Sequence, residues 1–377
     1  RREFLRAMGA LGLTATAAGG FLTSASTVAA TPTKGGTAVY ANNLHGPDDQ
    51  MDPVVFTSGI DYTRGVCTYN GLIQILDDMS LHGELAEEWS PNSDATEYIF
   101  KLQKGVEWHD GSPMTADDVV WSMNRHLGDD STSVIKSFFA GVTEWKKIDS
   151  HTVKCSLSSP DSDLPFKLGE KQAKIVKKDT VDFTKGNGTG PFLLESFQPG
   201  VKSMHTRNPN YWREGINLDA IEVTGITDPI ARVNALIAGD VDLINSVDAK
   251  GIKLIENAKG VHVNSTPAGQ YGGICCLKNT APGESDDFVR GMQFIQDREF
   301  IVRRFIKGHG VVGNDHPINV AYGADHCHEL PQIAYDPDKA KYHLNKSGYS
   351  EAELYVAPVI GFIEDACLLM QANLKKI

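Results

Sequence analysis

Residues 85–125 read LAEEWSPNSDATEYIFKLQKGVEWHDGSPMTADDVVWSMNR. Tyr98, Phe100 and Leu102 alternate with Ile99 and Lys101, the period of a half-buried strand. Gly105 and the run Asp110-Gly111-Ser112-Pro113 punctuate the chain as turns. Thr115-x-x-Asp118 then opens a helix, because the two side chains can satisfy backbone N–H groups that the first turn leaves orphaned. Val119, Met123 and Leu127 follow at four-residue spacing and form the core stripe of that helix. Trp89 and Trp108 are core anchors, and His109 reads as a hydrogen-bonded structural histidine rather than a catalyst. No catalytic motif lies in this stretch.

Outward from it, strands and helices intermingle, so the class is α/β, or mixed α+β. Thr37–Ala41 and His151–Leu157 read as strands, as does Val241–Ile244. A hairpin runs from Gly190–Leu194 through a turn at Pro199-Gly200 to Ser203–Arg207. Pro229–Ala238 is a short helix with Ile230, Val233 and Ile237 inward and Gly239 as its stop. Tyr271–Leu277 reads as a strand; Asp286–Lys307, Asp338–Lys346 and Ile363–Lys376 read as helices.

Composition narrows the function. A chain of 377 residues, 41% hydrophobic and 22% charged, is that of a globular protein with room for two or three domains. Its net charge of −12 argues against nucleic acid or an anionic membrane as partner, since both demand basic patches. Arg1-Arg2-Glu3-Phe4-Leu5-Arg6 precedes an apolar Ala/Gly/Thr/Leu run and the cleavage-like Val28-Ala29-Ala30, the order of a twin-arginine export signal over residues 1–30. The chain begins without Met and ends within helical residues, so it reads as a fragment cut at both ends. Six cysteines (Cys67, Cys155, Cys275, Cys276, Cys327, Cys367) are too few for a disulfide scaffold. Mostly buried free thiols are expected, with one long-range disulfide open in an oxidising compartment.

The remaining chemistry-bearing clusters are weak. Gly186-x-Gly188-x-Gly190 leads into Pro191 and an apolar strand, not into a helix whose N-terminus could hold a phosphate. Asp325-His326-Cys327-His328-Glu329 groups metal-ligand types, but adjacent residues rarely converge on one ion, so a polar surface loop is the reading. His309, Asn314, Asp315 and His316 form a second polar loop. No catalytic residue, metal site or cofactor is assigned.

Five blocks in order carry a resemblance. They are the opening stretch with His109-Asp110-Gly111 and Thr115-Ala116-Asp117-Asp118-Val119, then Gly188-Thr189-Gly190-Pro191-Phe192 with Arg207-Asn208-Pro209-x-Tyr211-Trp212. Ala231-Arg232-x-x-Ala235-Leu236-x-x-Gly239-Asp240-Val241-Asp242, Asp297-Arg298-Glu299 and Tyr335-Asp336-Pro337-Asp338-Lys339-Ala340 complete the set. Over residues 35–377 the chain resembles the extracellular solute-binding proteins of family 5, the peptide- and nickel-binding components of ABC importers.

That resemblance implies a two-lobed periplasmic-binding-protein fold of type II, in the large peptide-binding subclass, with the second lobe incomplete. Residues 31–75 and 185–265 would form the core of lobe I, 76–184 an inserted subdomain, and 266–377 part of lobe II. It implies a monomer in the periplasm that captures a di- or oligopeptide by hinge closure and docks on an inner-membrane ABC permease. A nickel complex, haem, an opine or an oligosaccharide is the alternative solute, and a secreted hydrolase the distant alternative. The resemblance puts Thr57, Ser58 and Gly59 on one cleft wall and Tyr271, Gly272, Gly273 and Cys275 on the other. Backbone groups there would pair with an extended peptide. Phe138 and Phe362 are candidate apolar pocket walls, and the acidic partner of a peptide's amino group would lie past Ile377.

Overall fold

A computed structural model describes residues 33–377 apart from 266–268, 270 and 357–360. The export signal expected over residues 1–30 therefore lies outside the described residues. The chain begins with β1 (Thr37–Asn42), α1 (Gly59–Thr68), β2 (Ile73–Ile75), β3 (Leu81–Gly83), β4 (Ala86–Pro91), β5 (Glu97–Leu102) and α2 (Ala116–Asn124). It continues through β6 (Val142–Asp149), β7 (Thr152–Leu157), α3 (Leu164–Leu168), β8 (Phe192–Gln198), β9 (Lys202–Arg207) and β10 (Ala220–Gly225). Then come α4 (Pro229–Ala238), β11 (Leu243–Ile244), α5 (Ala249–Glu256), α6 (Asp286–Phe294), α7 (Arg298–Arg304), α8 (Pro337–Ser347) and α9 (Ile363–Leu374). Among the described residues no helix is long and apolar enough to cross a membrane.

Two larger sheets organise residues 33–265, beside a two-stranded β2-β3 ladder. One is five-stranded in the order β11-β1-β10-β9-β8, with β1 parallel to both neighbours and β10-β9-β8 antiparallel. The other is antiparallel in the order β4-β5-β7-β6. Its core follows the alternation in the opening stretch: Tyr98, Phe100 and Leu102 are buried, facing Val153, Cys155 and Leu157 on β7. Val119 and Met123 of α2 pack into the same cluster with Trp108, and Leu127 is partly buried against it. The Thr115 N–H donates to the Asp118 carboxylate at 2.8 Å, so the helix starts where the capping pair put it.

Residues 274–377 build a separate core from Phe288, Met292, Ile295, Ala340 and Met370. Three sequence expectations are corrected there and nearby. Tyr271–Leu277 forms no ladder: Ile274 and Cys276 turn inward onto this core, but no strand of the described residues pairs with the segment. The helix expected over Asp286–Lys307 is two helices, because the Asp297 side chain accepts the Phe300 N–H at 3.0 Å and caps a new start. Helix α4 has the expected bounds, with Asp228 capping it and Gly239 in the left-handed region at φ 81°. Its inward face is Arg232, Val233 and Leu236, while Ile237 is 41% exposed. Arg232 can sit inward because its guanidinium donates to the carbonyls of Ile226, Thr227, Asn245 and Ser246 at 2.7–3.1 Å.

All six cysteines are free thiols; Cys67, Cys155 and Cys367 are buried, whereas Cys275 and Cys327 are exposed. Burial pushes the Cys67 and Cys155 thiols up to about 12, so neither is a nucleophile at neutral pH.

Candidate functional site: the end of the parallel strands

Three strands of the five-stranded sheet run parallel, and their C-terminal ends meet at one edge, with Asn42 opposite Gly225 and Ala41 opposite Ile244. In open sheets ligands bind outside such ends, where the strand order reverses. Asn42 is buried and fully used: its amide donates to the Tyr40 hydroxyl at 3.0 Å and accepts the Leu44 N–H at 2.9 Å. Asn43 and Asn245 clasp each other, Asn245 receiving the Asn43 N–H at 3.0 Å and donating back to its side-chain oxygen at 2.8 Å. Burial raises the Tyr40 phenol above its ordinary range, so the hydroxyl that accepts from Asn42 stays neutral. The edge is thus polar, neutral and rigidly hydrogen-bonded.

Helix α1 begins against this edge. Ser58 is its N-cap, accepting the Asp61 N–H at 3.3 Å, and a Cβ on Gly59 would stand 3.0 Å from the Asn42 amide nitrogen. Of the residues expected on this cleft wall, Ser58 and Gly59 are a helix cap and first turn, and Thr57 before them is exposed. On the far side, Asp248 caps α5 through the Gly251 N–H at 2.6 Å. Gly361 approaches that same residue, its Cβ position lying 3.2 Å from the Asp248 Cβ. Beside Gly361, the Phe362 ring closes on Gly272, where a Cβ would be 2.8 Å from its tip.

The structure therefore gathers the expected residues into two patches. Thr57, Ser58 and Gly59 share the strand-end edge, while Tyr271, Gly272, Gly273 and Phe362 share the other, the Tyr271 ring lying over Gly273. Cys275 is exposed on the outward side of its segment, since Ile274 and Cys276 face the core. Phe138 stands apart on the single 3-10 turn Lys136–Phe139 of the antiparallel layer, where Phe139 takes the core position. The asparagines of the edge were not singled out from the sequence. The only local signal was the doublet Asn42-Asn43 ending the run Thr37-Ala38-Val39-Tyr40-Ala41.

Other suspected chemistry resolves into structure. The half-buried His109 ring lies between the carbonyls of Gly186 and Gly190, at 3.1 and 3.0 Å. Burial lowers its pKa, and the neutral ring has one N–H: Nδ1 accepts the Gly188 N–H at 3.3 Å while Nε2–H donates to the Gly190 carbonyl, clasping the loop. Gly188 and Gly190 are glycines because a Cβ on either would collide with the Thr68 carbonyl group, not because a phosphate binds. The His326 and His328 rings meet at 4.6 Å and His326 lies against the Ile318 carbonyl at 2.7 Å. Among the described residues no three His, Cys, Asp or Glu side chains converge as a metal site. In the second polar loop, Arg298 grips both carboxylate oxygens of Asp315 at 2.8 Å.

Comparison with known proteins agrees with this architecture. Residues 80–377 match the family described as "Bacterial extracellular solute-binding proteins, family 5 Middle". The dipeptide-binding protein of Escherichia coli is 24% identical over 358 residues, 86% of this chain and 66% of that protein. The chain thus spans just under two thirds of that relative's length. The periplasmic binding protein DppA from Helicobacter pylori, in complex with the peptide STSA, superposes with a TM-score of 0.77 at 21% identity. The match covers 92% of this chain and 72% of that one. NikZ from Campylobacter jejuni, in complex with Ni(L-His), superposes at 0.78 with 18% identity, over 90% of this chain and 71% of that one. The fold is the two-lobed one of these binding proteins. With the matched residues covering most of its length, the chain belongs to the bacterial extracellular solute-binding proteins of family 5.

Proposed function

We propose that this chain is the solute-capturing component of an ABC importer, holding a peptide-like solute between its two lobes and delivering it to a membrane permease. The observation that carries the reading is the segment 271–277. Its side chains alternate in burial over residues 273–277 as a strand's would, yet no strand among the described residues pairs with its backbone. Unpaired backbone of this kind is what an extended peptide adds itself to, and Gly272 and Gly273 keep side chains from blocking the approach. The strand-end edge with Thr57, Ser58 and Gly59 supplies the opposite wall, with Tyr271 and Phe362 as apolar surface and Cys275 beside them. Phe138 is a wall only if closure carries the antiparallel layer toward the solute.

In this reading residues 31–75 and 185–265 form the core of lobe I, 76–184 its inserted subdomain, and 266–377 belong to lobe II. Residues 1–30 are a twin-arginine signal, and the protein acts as a monomer in the periplasm. Binding needs no chemistry: a micromolar site amounts to about −8 kcal/mol, which closure over a buried solute can supply. The relatives named for dipeptides support a peptide first. Thermal shift with alanine di- and tripeptides, a nickel–histidine complex, haem and a sugar tests it. Peptides alone should raise the melting temperature; a shift with only the metal complex, haem or the sugar would replace peptide with that solute. Turnover of any of them would overturn the binding reading.

A further inference from the structure

The entry into helix α1, which presents Thr57, Ser58 and Gly59, is held from outside the cleft. Just ahead of it, Asp52 caps a 3-10 turn (Pro53–Val55) by accepting the Val54 N–H at 3.3 Å with one carboxylate oxygen. The other oxygen receives Arg125 Nη2 at 2.5 Å. Arg125 is itself clamped, its guanidinium lying over the rings of Phe183 (4.6 Å) and Trp121 (5.3 Å). The fork is therefore oriented before it meets Asp52. A second hold falls one residue before Thr57: the buried Gln172 amide donates to the Phe56 carbonyl at 2.9 Å and to the Tyr62 hydroxyl at 3.1 Å. It thereby spans the gap between the turn and helix α1. A third is the Val134 N–H, donating to the Val54 carbonyl at 3.0 Å.

Residues 125, 134 and 172 all belong to the layer 76–184. Phe56 and Met51 complete the arrangement by packing in one apolar cluster with Trp121, Val176 and Phe183 of that layer. Thr57 is left as the exposed residue between two fixed points, the Phe56 carbonyl and the Ser58 cap.

We propose that Arg125 and Gln172 are positioning residues for residues 57–59, the entry into helix α1: neither touches solute, and they set this entry through Asp52 and Phe56. The inserted layer then does more than enlarge lobe I; it fixes the shape of one cleft wall. The affinity consequence rests on the binding reading above, whereas the effect on this entry does not.

Hydrogen exchange of the solute-free protein separates the two. In Arg125→Met and Gln172→Leu the amides of residues 54–61 should exchange about 10-fold faster, with those of β5 and β10 unchanged. Arg125→Lys, which keeps a cation for Asp52 but not the fork, should recover part of that protection. With an alanine dipeptide as probe, the same two variants should bind at least about 5-fold more weakly. Exchange that rises evenly through the protein, or that stays unchanged at 54–61, would make both residues merely structural and overturn the proposal. Wild-type protein that binds no dipeptide would instead overturn the peptide reading, with the exchange result still deciding the positioning role.

Discussion

The antiparallel layer β4-β5-β7-β6 with the core packed on it, and the described residues of 271–377, differ in closure. In the first, every strand is paired and the core runs unbroken from Leu72 to Ile175. In the second, a cluster of five buried residues anchors two packed helices and the C-terminal half of α9. Leu277 there is 65% exposed, Tyr355 83% and Leu368 57%. A closed layer can hold a fixed geometry for others, as Arg125 and Gln172 do for the entry into α1. An open one keeps backbone and apolar surface available, as segment 271–277 does.

The largest effect is expected at a polar anchor outside both regions, between helix α1 and the five-stranded sheet. Arg64 is completely buried, paired with Asp49 at 2.8 Å, bonded to Ser203 at 3.2 Å and stacked over Phe197. Arg64→Met leaves the Asp49 and Asp61 carboxylates buried without their cation, and should cost about 3–5 kcal/mol in urea unfolding. Phe100→Ala should cost about 3–5 kcal/mol as well, through the cavity it leaves in the layer's core.

Next in size is a pH effect from two buried histidines, His126 in the closed layer and His205 on β9 of the five-stranded sheet. Burial, reinforced by Arg125 beside His126 and by Arg64 beside His205, holds both imidazoles down at about 4. In the unfolded chain they take up protons near 6.5, so unfolding binds protons between the two values. Their contribution is full above about pH 6.5 and is lost as the pH falls toward 4, by at most about 3 kcal/mol each. His205→Leu should flatten this slope in urea midpoints measured from pH 7.5 to 4.5. In the open body, His343 and Lys346 hold the Asp287 carboxyl below its usual range, so that pair weakens only at pH below the ordinary carboxylate value. The smallest effect belongs to the open surface: Leu368→Ser should change stability by less than about 0.5 kcal/mol.

The same contrast governed what the sequence could say. The bounds of α4 were legible because Pro229 and Gly239 act within a turn of the backbone they control. The opening stretch was legible because its alternation and capping pair are local and its layer closes on itself. The clasp of Asn43 and Asn245 was not, since 202 residues separate the partners and nothing near either one announces the other. Nor was the place of β1 between β10 and β11, which sets the strand-end edge. Helix α1 was missed because Thr57-Ser58-Gly59 looks like a turn, although Ser58 is an ordinary N-cap for a helix starting at Gly59. The strand reading of 271–277 had the right alternation and the wrong conclusion: period two describes side-chain direction, and a ladder also needs a partner.

Hydrogen exchange with and without solute tests the central claim most directly. On adding alanine di- and tripeptides, the amides of 57–61 and of 271–277 should gain protection together, at one half-saturating concentration, because one solute bridges both walls. Protection at only one of the two segments, or at neither while the melting temperature still rises, would contradict capture between them.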